Sequence, residues 1–124
     1  MLDIIRIAHH IPSLPYEKMA QTVLGKTYTL TLAFIGEKRA QALNVTHRKK
    51  TYIPNVLSFP LDKEIGEIYI CPMVAKREAK KFNMTVDGYI GYLFIHGLLH
   101  LKGLDHGATM ERAEKKYIRL FKLS

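Results

Sequence analysis

Residues 85–106 read TVDGYIGYLFIHGLLHLKGLDH. From Ile90 to Leu101 nearly every residue is apolar, so the stretch predicts a central helix buried on most sides. Thr85 is placed as its N-cap, because a Thr hydroxyl can accept a hydrogen bond from an N–H of the first turn. The helix is expected to run to about Lys102, and Gly103 is a natural stop. His96 and His100 stand four apart within it. At about 100° per residue their imidazoles project from one face, one turn apart. Two neutral ring nitrogens can then reach one metal ion at about 2 Å. His106 follows the glycine turn, where the chain can fold back and supply a third ligand.

The full pattern is H-x-x-x-H-x-x-G-x-x-H, which shares its spacing and glycine with the metal-binding stretch of the metzincin proteases. Three histidines leave the fourth tetrahedral position open, as in catalytic zinc sites. One such ion per chain, most simply zinc, is the expected cofactor; nickel, copper and cobalt suit the same ligands. His9, His10 and His47 have no such spacing and read as surface or loop residues. In zincin proteases the residue after the first ligand is the Glu that serves as general base. Here it is Gly97, which disfavours peptidase chemistry of that kind. Asp105, beside His106, reads either as an acceptor or proton relay for the site or as a turn-stabilising residue.

Outward from this centre, residues 2–8, 28–36, 55–61 and 67–71 read as strands, with Pro60 marking an edge or terminal position. Helices are expected at 16–24, 37–45, 72–82 and 109–123, with a basic loop at 46–54. Inward candidates are Ala40, Leu43 and Val45; Val74, Ala75, Ala79 and Phe82; Ala113, Tyr117, Leu120 and Phe121. The fold class is α/β of the α+β type: a mixed four-stranded sheet packed with about five helices, in one domain over residues 1–124.

With 48% hydrophobic residues the chain can bury a core without disulfides. Its one cysteine, Cys71, excludes an intrachain disulfide and a Cys-based zinc cluster, and reads as a buried free thiol. The N-terminal stretch reads as strand and loop, not as a signal peptide. No apolar run approaches the roughly 18 residues of a membrane span. A soluble, cytoplasmic protein without membrane partners is expected. The net charge of +8, from 19 Lys and Arg against 11 Asp and Glu, favours a polyanionic partner but does not identify one.

The string HGLLHLKGLDH at 96–106 closely resembles the signature of the YbeY family of bacterial metal-dependent endoribonucleases. LNVTHRKKTYIPNVLSFP at 43–60 and IGEIYIC at 65–71 resemble two further blocks of that family, in family order. The correspondence covers roughly residues 28–121. Pro54, Glu67 and Leu104 depart from the family's usual residues, and the loop between the last two strands is short. The resemblance implies a metal at one end of a cleft. It also implies cleavage of single-stranded RNA, linked to maturation of small-subunit ribosomal RNA and to ribosome quality control, with the small ribosomal subunit or its assembly factors as partners. It carries metal-ligand roles to His96, His100 and His106, and a functional arginine to Arg48. Arg48 would grip a phosphate, and Lys49 and Lys50 would add counterion-release binding to RNA if they face the groove. A ribosome-assembly or RNA-binding factor with a mainly structural zinc is the alternative.

Overall fold

A computed structural model of the chain describes residues 1–6 and 11–123; the expectations for His9, His10 and the end of the first strand lie outside them. The elements run β1 (Leu2–Arg6), α1 (Tyr16–Leu24), β2 (Thr29–Phe34), α2 (Glu37–Arg48), β3 (Val56–Asp62), β4 (Ile65–Ile70), α3 (Pro72–Ala79), a 3-10 turn (Lys80–Phe82), α4 (Val86–Leu101) and α5 (Ala108–Leu120). The sheet order is β1-β2-β4-β3, with β1, β2 and β4 parallel and β3 antiparallel at the edge. The expected mixed four-stranded sheet with five helices is therefore what forms. Among the described residues no helix is long and apolar enough to cross a membrane.

Alternation along the strands divides the core between two faces. Leu30, Leu32 and Phe34 of β2, with Ile68 and Ile70 of β4, face one layer together with α1, α4 and α5. Ala33 of β2 packs with Ile35, Ala40 of α2, Cys71 and Val74 on the other face. Helix α4 is the centre of the larger layer: Ile90, Phe94, Ile95 and Leu98 are fully buried. Burying each such side chain contributes roughly 1.5–3 kcal/mol. Thr85 caps it, accepting from the Gly88 N–H at 3.0 Å.

Some boundaries and orientations differ from the sequence reading. Helix α2 continues to Arg48, so Thr46, His47 and Arg48 are helical rather than loop. Its inward residues are Ala40 and Asn44, both buried, while Val45 is exposed. The Asn44 amide donates to the Tyr52 carbonyl at 3.0 Å, and the Gln41 amide to the Thr51 carbonyl at 2.6 Å. A polar residue thus sits in the core because it ties down the following loop. Helix α3 ends at Ala79, and the chain tightens through the 3-10 turn to Asn83 in the left-handed region (φ 54°). That turn leaves Phe82 exposed instead of buried. Leu120, in the last turn of α5, is also exposed. Strand β4 starts two residues earlier than expected, pairing Ile65 with Asp62 across a register irregularity in β3. Pro60 lies on the edge strand, as its missing N–H requires.

At Gly97, α4 lies close against the sheet. A Cβ there would lie 2.9 Å from Ser58 Oγ and 3.1 Å from Ile68 Cδ1. Ser58 also donates to the Gly97 carbonyl at 3.0 Å. Gly97→Ala gains up to about 1 kcal/mol in helix propensity. Overpacking against fixed neighbours costs about 1–3 kcal/mol, so the crowding should win. The variant is expected to unfold at lower denaturant than wild type, with an unchanged m-value. A midpoint at or above wild type would show that Ser58 and Ile68 yield freely.

Candidate metal centre

Helix α4 places His96 and His100 on one face, with Nε2 to Nε2 3.1 Å apart. The turn that follows is a Schellman motif. The Leu104 N–H reaches back to the Leu99 carbonyl and the Gly103 N–H to that of His100, each at 3.0 Å. Gly103 carries the positive φ of 105° that the reversal needs. The chain then returns His106 to the helix, its ring centroid 5.2 Å from that of His96 and 4.8 Å from that of His100. One ligand atom from each of the three lies within 4.8 Å of the others.

The remaining ring nitrogens define what the site can hold. His100 Nδ1 lies 3.0 Å from the Leu104 carbonyl, an oxygen that can only accept, so Nδ1 carries the proton. His96 Nδ1 lies 2.5 Å from Glu114 Oε2 of α5, a carboxylate only 8% exposed. Both Nδ1 atoms donate, so both Nε2 lone pairs converge on one point. Two neutral lone pairs 3.1 Å apart repel unless a cation lies between them. A tetrahedral ion with bonds of about 2.0–2.1 Å holds its ligand atoms roughly 3.3 Å apart. The donor set therefore fits a divalent metal ion. Burial, then the neighbouring His96 and His106, push the His100 imidazole below its ordinary value, against the Leu104 carbonyl and Asp105. It stays in the neutral form that ligation requires.

A cavity of about 530 Å³ opens on the three histidines, and Arg48, Tyr52 and Ser58 form part of its wall. Arg48 ends α2, and Lys49 caps that helix in the left-handed conformation (φ 55°). The Asn44 and Gln41 bonds hold the loop that carries Tyr52. Lys49 and Lys50 are exposed and do not line this cavity. Asp105 is exposed at the turn, and its link to the site is its charge beside His100. His47 is exposed on α2 with its ring 5.0 Å from that of Phe59, as a surface residue.

The residue that sequence reasoning missed is Glu114. Its signal was present but unspecific: a Glu in the middle of α5, eight positions after the third histidine, among other charged residues. Only the packing of α5 on α4 turns it inward. Carboxylates that orient a ligating histidine typically account for 10–100-fold in metal affinity. Glu114→Ala is expected to weaken metal binding by about that factor, and Glu114→Gln, which keeps an acceptor oxygen, by less. Competition against a chelator of known affinity measures both; unaltered binding by the Ala variant would remove Glu114 from the site.

The sequence model of the family described as Endoribonuclease YbeY matches residues 5–120. A protein named Endoribonuclease YbeY from Methylobacillus flagellatus is 37% identical over 82% of this chain and 73% of its own length. Another of that name, from Bdellovibrio bacteriovorus, is 40% identical over 74% of this chain and 60% of its own. The chain thus spans less than two thirds of some of the curated relatives it matches. A solution structure from Thermotoga maritima superposes with a TM-score of 0.66 at 26% identity, covering 96% of this chain and 87% of the other. With this family match running from the end of β1 through α5, the chain belongs to the Endoribonuclease YbeY family.

Proposed function

We propose that this chain is a zinc-dependent endoribonuclease specific for single strands, with one zinc per chain. It acts in the cytoplasm, in late maturation of small-subunit ribosomal RNA and in ribosome quality control, on the small subunit or with its assembly factors. One domain over residues 1–124 carries the activity. The observation that supports this reading most directly is that Arg48 shares a cavity with His96, His100 and His106. A guanidinium can hold two oxygens of one phosphate and stabilise charge that develops there. The name that the relatives bear supplies RNA as the polymer.

The chain's own groups divide the work. Arg48 binds and orients the scissile phosphate in the cavity. Glu114 and the Leu104 carbonyl take the Nδ1 donors of His96 and His100 and so aim their Nε2 atoms at one point. His96, His100 and His106 would hold a metal ion, which would supply Lewis acidity there. Asp105, exposed at the turn with its charge near His100, serves the site as a proton relay. Lys49 and Lys50 release counterions where the RNA runs past the end of α2. Gly97 packs against Ser58 and Ile68, so this position offers no general base of the zincin kind.

The alternative, an RNA-binding assembly factor with a structural zinc, requires a closed site. An exposed His106 and an open cavity on the triad favour catalysis over it. The decisive measurement is cleavage of a labelled single-stranded ribosomal RNA fragment by metal-quantified protein. Wild type is expected to hold about one zinc and to cut. His100→Ala should lose both metal and cleavage. Arg48→Ala should keep the metal and cut about 10²–10³-fold more slowly. Wild type that holds zinc but leaves RNA intact sinks the nuclease reading in favour of the assembly factor.

A further inference from the structure

A second cavity, of about 650 Å³, lies on the other side of His96 and shares Asn55 and Val56 with the first. Its wall is aromatic. Phe82 stacks on Tyr89 with ring centroids 5.5 Å apart and planes 13° apart, and Tyr89 on Tyr92 at 5.7 Å and 27°. The Tyr92 ring lies 6.2 Å from that of His96. A row of rings therefore runs from the surface to the first metal ligand. Phe82, at its outer end, is 61% exposed although it is among the chain's largest apolar side chains.

The charges in the two cavities are opposite in kind. The first presents Arg48 and the three histidines. The second, which His96 also borders, presents Glu111 and Glu114 from α5 beside Lys115. Burial and then those two carboxylates push the Tyr92 phenol above its ordinary value, so it remains neutral. Two carboxylates repel a phosphate but tolerate a flat, neutral ring with exocyclic amino groups, from which a carboxylate can accept hydrogen bonds. A single strand carries both along its length. The adjoining cavities match such a strand: a phosphate at the triad, and a base further along it in the second cavity.

We propose that the Phe82–Tyr92 cavity is a nucleobase subsite, in which an unpaired base of the strand whose phosphate Arg48 holds stacks on the Phe82 ring. This rests on RNA being the substrate and adds how a single strand is selected. A base inside a duplex has both faces covered and cannot reach an aromatic ring, whereas an unstacked base can. Because every base has a π-face, the subsite discriminates strandedness more than sequence.

The test uses single-stranded RNA carrying one 2-aminopurine, whose fluorescence is quenched by stacking, mixed with the zinc-loaded full chain and read before cleavage. Quenching is expected with wild type. Phe82→Ala, outside the core, should abolish it and weaken RNA binding about tenfold; Phe82→Trp should restore both. Cleavage is followed in the same samples. Quenching and affinity unaltered in Phe82→Ala, with wild type still cutting, overturn the subsite and leave the nuclease reading standing. Phe82-dependent quenching without any cleavage supports the subsite and sinks the nuclease reading instead.

Discussion

Two unprotonated imidazole nitrogens 3.1 Å apart are an unfavourable arrangement in a protein without a cation. Everything around the site works to maintain it. The Glu114 carboxylate and the Leu104 carbonyl, one from a neighbouring helix and one from the turn, each take a proton donor from the far side of a ring. Neither can be satisfied if the ring flips, because each offers only an acceptor. The lone pairs are thus aimed inward by hydrogen bonds made elsewhere, and the repulsion is met by the packing of α4. A helix with Phe94, Ile95 and Leu98 fully buried cannot rotate to relieve it.

The same logic explains what the sequence revealed. The four-residue spacing of His96 and His100 is a property of helix geometry, and the apolar run around them leaves no other element for those residues to form. Thr85 and Gly103 marked the ends because capping is local chemistry, decided within one turn. The sheet was equally legible, since alternation in β2 and β4 gives the faces directly.

What stayed hidden depends on contacts distant in sequence. Asn44 was not among the inward candidates, and nothing local says that its amide will hold the carbonyl of Tyr52. Val45 is the better core residue by composition, yet the helix turns it to solvent. Phe82 followed the helical pattern until the 3-10 turn and the left-handed Asn83 rotated it outward. Glu114 was the largest omission: a buried carboxylate cannot be told from the exposed acids around it until α5 is docked. Arg48 was found through the resemblance of its surrounding block, since an arginine at the end of a basic segment has no distinguishing pattern of its own.

The reversal between His100 and His106 is exposed, and surface loops usually accommodate inserted residues at little cost. This one has a fixed length. Its backbone closes the end of α4, its Leu104 oxygen selects the tautomer of the second ligand, and its far end delivers the third. One extra residue would shift these three functions by different amounts, and no single backbone adjustment would recover them together. Over evolutionary time the stretch should therefore drift in composition at Lys102 while its number of residues stays constant, the reverse of what solvent exposure ordinarily permits.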